Sequence, residues 1–173
     1  MEHKAFIIDY EQFERELRPL LQEALLTKNC DGLIDFIRQN IESLADPYEG
    51  EPLQGNWEDM IETPDAHQYG DFALTKYYKP SNDIGLGSSW GAIQDVVDAD
   101  RGISPILGAV VGGSDNPFDP GKMGSYFQSS KQVRESLDHL QQLAREKPTD
   151  EIDDAIALLE HASQSGRGLY VTF

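Results

Sequence analysis

Apolar residues recur at helical spacing over several long stretches of the chain, and gather into short strand-like runs at a few separated places. His3 to Asp9 (HKAFIID) reads as a short strand. From Tyr10, Phe13, Leu17, Leu20, Leu21, Ala24 and Leu25 share one helical face. Pro19 interrupts that pattern, because proline inside a helix removes a hydrogen bond; either the helix bends there or two short helices meet. Asn29 or Asp31 caps the next helix, whose stripe is Leu33, Ile34, Ile37, Ile41 and Leu44, with Gly32 weakening the first turn. From Asp65, Phe72, Leu74, Tyr77 and Tyr78 suit a helix, against which Gly70 counts. Trp90 opens a short helix through Ile93, Val96 and Val97 that ends before Gly102.

The run Pro105 to Val111 (PILGAVV), closed by Gly112 and Gly113, predicts a buried strand ending in a sharp turn. A Gly/Asp/Pro loop to Gly124 follows, then a strand around Ser125 to Gln128. Ser129 or Ser130 caps a helix carrying Val133, Leu137, Leu140 and Ala144, with Pro148 beyond its end. Thr149 or Asp150 caps another, with Ile152, Ala155, Ile156 and Leu159. Gly166 ends it, and Leu169 to Phe173 is a last strand. Helices dominate and the strands lie far apart, so the expected fold is α+β: one domain over residues 1–173, with a small mixed or antiparallel sheet packed by amphipathic helices. The two terminal strands can pair only inside a shared sheet. Trp90 is expected in the core, and Gly112, Gly113 and Gly124 are expected to serve the turns.

One stretch stands outside the pattern. Asp46 to Asp65 (DPYEGEPLQGNWEDMIETPD) holds seven acids, three prolines and no basic residue. It reads as an acidic, loop-rich insertion of a length that is either functional or mobile. Trp57, Met60 and Ile61 within it predict a short helical turn docked on the core.

Charge sharpens this picture. Thirty-one acids against fourteen bases give a net charge of −17. That argues against nucleic acid or an anionic membrane as partner, because phosphate binding needs clustered Lys and Arg. It suits a basic protein partner, cation binding or simple solubility. The single cysteine, Cys30, excludes an intrachain disulfide framework. No apolar run approaches the ~18 residues of a membrane span, and the first residues lack a signal peptide's apolar stretch. A soluble cytoplasmic protein is the expectation.

Familiar chemistry is sparse. Gly85-Leu86-Gly87 lacks the third glycine of a dinucleotide fingerprint, and Gly121-Lys122 is followed by Met123 rather than Ser or Thr, so both read as turns. No Gly-x-Ser-x-Gly elbow occurs. The histidines His3, His67, His139 and His161 have no second His or Cys at ligand spacing, and no metal or cofactor is expected. His67 and Asp71, four apart, are compatible with an oriented base, though a surface contact explains the spacing better. Asp115, Asn116 and Asp119 suit Asx turns better than a calcium loop. Cys30 beside a helix start suits either a favoured thiolate or a small packing residue.

The softer signal is aromatic. Tyr48, Trp57, Tyr69, Phe72, Tyr77 and Tyr78 fall in the most acidic part of the chain. Rigid rings inside a charged rim suit a binding surface, whereas rings beneath a long loop suit the core. The expected function is a non-enzymatic, immunity- or inhibitor-like module binding a basic protein through Tyr48, Glu49, Glu51, Trp57, Glu58, Tyr69 and Asp71. The competing expectation is a small-molecule binder or enzyme, with its pocket between the Gly-rich turns and the loop carrying Trp57.

From Trp90 onward an order of features is distinctive: WGAIQDVV, then ILGAVVGG, then GSYFQSSKQVRESL, then EHASQSGRGLYVTF. In that order the chain resembles the YfbM-like family of bacterial proteins, over about half its length. Ser88-Ser89 stand where the family usually has Asp-Lys, and the family's Gly-Tyr is replaced around Met123-Gly124. The resemblance implies an α+β fold and no known activity, so it assigns no functional residue.

Overall fold

The computed structural model describes residues 1–97 and 103–173. The fold is α+β, with helices and small antiparallel sheets. The chain divides into two compact units. One comprises residues 1–10, 83–109 and 126–173, the other residues 11–82 and 110–125.

The first unit is built on a three-stranded sheet. β1 (Lys4–Ile8) pairs antiparallel with β5 (Gly168–Thr172), with Phe6 opposite Tyr170, and β4 (Ser125–Gln128) lies on the other side of β5. The terminal strands therefore pair as their positions require. Alternation sends Ala5, Leu169 and Val171 to one face, where they join Ile93, Val133, Leu140, Leu159 and Ala162 in a buried cluster. The opposite face carries Phe6 and Tyr170, their rings stacked, with Phe127 stacked on Tyr170 in turn. α6 (Ser130–Glu146) opens with a reciprocal cap: Ser129 accepts the Gln132 N–H, and the Gln132 side chain accepts the Ser129 N–H. α7 (Asp150–Gln164) is capped by Thr149. It gives way to Gly166 in the left-handed region at φ +67°.

The Gly-rich turn from Asp83 runs along the free edge of β1. His3 and Gly87 exchange backbone hydrogen bonds, and Ile84 N–H donates to the Ala5 carbonyl. A Cβ on Gly85 would meet the His3 carbonyl at 2.1 Å, so only glycine allows this approach. α5 (Trp90–Val96) then begins at Trp90. Gly102, read as the residue before which that helix ends, lies outside the described residues.

The expected strand Pro105–Val111 does not form. Pro105 to Leu107 make a turn, and only Ala109 bridges to Phe127. Gly108 explains the break, since it sits at φ +115° against the Phe127 carbonyl. Ile106 is buried as expected of a core residue, in a turn rather than a ladder. Trp90, expected in the core, is only half-buried. Its ring leans on Phe173 at 4.8 Å between centroids and its indole N–H reaches the Met1 carbonyl.

In the second unit the Pro19 conflict is resolved by a change of helical winding. α1 (Tyr10–Gln12) passes into a π-helical turn, Phe13–Leu17, and then α2 (Arg18–Thr27). Pro19 falls in the first turn of α2, where its missing N–H costs least, and the wider turn ahead absorbs the extra residue. α3 (Asp31–Asn40) follows, its first N–H held by the Asn29 side chain. α4 (Ala66–Leu74) is capped by Asp65, which accepts from the His67 and Gln68 N–H groups. Gly70 permits close packing inside it: a Cβ would lie 2.7 Å from Leu21 and 2.8 Å from Phe118. Gly112–Gly113 (β2) and Asn116–Pro117 (β3) form a small hairpin, with Gly112 at φ +100°. No helix among the described residues is long and apolar enough to cross a membrane.

Candidate functional site

The acidic insertion is a fixed frame rather than a slack loop. Asp46 N–H donates to the Glu51 carbonyl, Gly50 N–H to the Asp46 carbonyl, and Leu53 N–H to the Leu44 carbonyl. The Thr75 hydroxyl accepts the Ala45 N–H at 3.0 Å. A 3-10 turn, Trp57–Met60, then docks Trp57 into the core at 3% exposure, its ring edge-on to Tyr69. Met60 stays exposed.

This frame separates the expected binding residues. Tyr48 is 69% exposed, and Glu49 and Glu51 are exposed. Glu58 is exposed and bonded to Arg38 at 2.7 Å. Tyr69 is half-buried, and burial pushes its hydroxyl pKa up. Trp57 belongs to the core, as do Phe72, Tyr77 and Tyr78. The rings beneath the loop therefore cover the core, and Tyr48 is the exposed one of the set.

Asp71 is the unexpected member. It lies on the inner face of α4 at 6% exposure, beside Asp46, itself buried to 8%. Burial, and then the negative charge of Asp46, push its carboxyl up to about 7. The nearby Tyr48 hydroxyl acts against that shift. The Tyr48 pKa is raised in turn, by burial first and then by Asp71, Asp46 and Glu62.

Tyr48 stands at the edge of a cleft of about 460 Å³. Glu62 and Thr63 of the insertion, the first turn of α4 with His67, and the loop carrying Asp115 and Lys122 form its walls. His67 does not pair with Asp71 as an oriented base. Its Nδ1 accepts the Asp119 N–H at 3.1 Å and its Nε2 faces the Asn116 side-chain oxygen at 3.3 Å. The Asn116 amide nitrogen donates to the Leu25 carbonyl, which fixes that oxygen toward His67 and assigns the Nε2–H tautomer. The imidazole also stacks on the buried Phe118. His67 thus pins the Gly/Asp/Pro loop to α4.

Two carboxylates in the cleft wall are already committed. Asp65 caps α4, and Asp119 accepts from the Met123 and Gly124 N–H groups, four and five residues on, so it closes a wider loop than the expected Asx turn. Gly124 turns there at φ +111°, and Gly113 lies in open space beside the hairpin turn. No three His, Cys, Asp or Glu side chains among the described residues converge to hold a metal ion. Cys30 sits half-buried at the start of α3, where burial and then Asp65 and Asp31 push its thiol up, away from a reactive thiolate. Asp71 was visible in the sequence as a neighbour of His67 and as one of the expected binding residues; its burial beside Asp46 has no periodic signature, because a loop supplies one member and a helix the other.

No family model, curated protein or solved structure matches the chain.

Proposed function

We propose that this chain is a cytoplasmic, non-enzymatic binding module for a basic protein partner, in the manner of an immunity or inhibitor protein, using the surface of residues 46–65. The supporting observation is that backbone bonds and the buried Leu53 and Trp57 hold this segment in shape while Glu49 and Glu51 stay exposed. Neither acid forms an ion pair among the described residues. Tyr48 supplies a rigid aromatic anchor in the same stretch. Kinship with the YfbM-like family belongs to the same proposal and adds no activity. The high negative charge would speed encounter with a basic surface and disfavour nucleic acid.

A photo-crosslinking residue at position 49, compared with one at Glu135 on α6, tests this in the source cell. The expected result is a basic protein captured at position 49 alone. Glu49→Gln, Glu51→Gln and Glu58→Gln together should then leave the fold intact, since exposed charges contribute about 0–1 kcal/mol each. They should slow association with that protein, and added salt should shrink the difference. Equal capture at both positions, or an unchanged association rate, would overturn the reading.

A further inference from the structure

His3 joins two turns through one ring. Its Nε2–H donates to the Ile106 carbonyl at 2.8 Å, and its Nδ1 accepts the Leu86 N–H of the Gly-rich turn at 3.2 Å. The ring is 1% exposed, which leaves water little room to replace either partner. Only the neutral imidazole serves both, because an imidazolium carries a proton on each nitrogen and accepts nothing. The two bonds therefore respond oppositely to protonation. A charge on the ring strengthens the donation to Ile106, since charge-assisted hydrogen bonds are about twice as strong as neutral ones. The same charge removes the acceptor that holds Leu86 and sets two N–H groups against each other.

The other attachments of the Gly-rich turn are few and run along the outer edge of β1. His3 and Gly87 exchange backbone bonds, Ile84 N–H donates to the Ala5 carbonyl, and the Asp83 carboxylate accepts the Ala5 and Gly85 N–H groups. Ile84 and Leu86 are only partly buried against the core. On its other edge β1 keeps its antiparallel register with β5 from Lys4 to Ile8. Detaching the turn thus exposes far less than detaching the strand, which makes it the cheaper opening. Among the described residues the charge acting on the ring is that of Asp83, which favours the added proton. Residues 104–107 bring no titratable side chain, Phe173 presents its ring edge-on at 5.9 Å, and Glu2 and Lys4 beside His3 are exposed.

We propose that His3 is an acid-released latch: neutral, it fastens the Gly-rich turn of residues 83–87 over the edge of β1, and protonated, it keeps Ile106 and lets that turn go. The device involves no residue of 46–65 and does not rest on the function proposed for that surface.

The test is NMR on the isotopically labelled chain from about pH 7.5 to about pH 5, a range that brackets the ordinary imidazole value of about 6.5. At the upper end a scalar coupling across the hydrogen bond should link the Leu86 amide nitrogen to His3 Nδ1. It should vanish as the His3 ring titrates, together with the proton–proton contacts between residues 84–87 and strand residues 3–5. The coupling from His3 Nε2 to the Ile106 carbonyl should persist, as should the contacts between Phe6 and Tyr170. His3→Gln, whose side-chain amide does not titrate, should keep the turn in one state over the whole range. The couplings in the unaltered chain decide the matter even where that variant folds poorly. A His3 ring still neutral at about pH 5 would overturn the latch. So would a protonated His3 with the contacts of residues 84–87 unchanged, or loss of the contacts between Phe6 and Tyr170 at the same midpoint. The same pH step in His3→Gln would hand the latch to Asp83 and overturn the assignment to His3. None of these outcomes bears on partner capture at position 49.

Discussion

Two buried titratable residues pull the stability of this molecule in opposite directions as pH changes. Asp71 has its folded pKa raised from 3.8 to about 7, so the unfolded chain gives up this proton first. The stability it contributes is complete below about pH 4 and is lost as pH rises toward and through 7. At about 1.36 kcal/mol per pKa unit the cost is on the order of a few kcal/mol at pH 8. Asp71→Asn removes it at nearly the same side-chain volume. Thermal melts should show the variant several degrees more stable at about pH 8, with the gain mostly gone at about pH 4. A variant less stable at both values would mean that the carboxylate holds the fold together. His3 works the other way. It is 1% exposed, its Nε2–H donates to the Ile106 carbonyl at 2.8 Å, and its Nδ1 accepts the Leu86 N–H at 3.2 Å. Burial lowers its pKa below 6.5, and a proton on Nδ1 would face Leu86 with a second donor. Stability from His3 is therefore present above about pH 6.5 and lost as pH falls below it through the folded pKa. An NMR pH titration should place the His3 midpoint below 6.5; a midpoint at or above that value would contradict the buried neutral ring.

At the scale of elements, legibility followed how local each signal is. α6 and α7 could be read with their caps because Ser129, Gln132, Thr149 and Gly166 act within one turn of the helix end. β4 was readable to its ends, and the pairing of β1 with β5 followed from having a strand at each terminus. The run Pro105 to Val111 misled because its composition is that of a strand, while Pro105 and the positive φ of Gly108 decide the backbone. Trp90 misled for a similar reason, whereas Trp57 docks on the core as its short helical turn predicts. Burial of a lone ring depends on what lies across from it, and the sequence shows only what lies beside it. Gly70 was read as a weakness in α4 and is instead the point where α4 approaches Leu21 and Phe118. Gly70→Ala gains helix propensity of about 1 kcal/mol, but it forces a methyl into contacts of 2.7–2.8 Å. Overpacking of that kind costs about 1–3 kcal/mol, so the variant should be net destabilised in a urea melt. A midpoint above that of the unaltered chain would show that Leu21 and Phe118 yield freely.

At the scale of the whole molecule the governing quantity is charge. However the fourteen bases are shared, the net charge of −17 leaves as many carboxylates without a cation of their own. The ion pairs among the described residues are modest ones. Arg18 with Glu14, Arg38 with Glu58 and Lys131 with Glu135 all lie at the surface, and Lys76 with Glu16 is the most enclosed. Such pairs offset little of the self-repulsion that a compact acidic chain feels and an expanded one relieves. Monovalent salt should screen that repulsion, since the Debye length falls from about 30 Å at 0.01 M to about 10 Å at 0.1 M. The melting temperature should therefore climb by several degrees as sodium chloride rises over this range, then flatten once neighbouring carboxylates are screened. Potassium chloride should act alike, because the effect depends on ionic strength and not on a particular ion. Calcium at matched ionic strength should add nothing further, as three side chains around Asp115 are too few for its six to eight oxygen ligands. A melting temperature flat in sodium chloride would show that repulsion is not what limits this fold. An extra rise specific to calcium, abolished by Asp119→Ala, would reveal a cation site in the loop from Gly112 to Gly124.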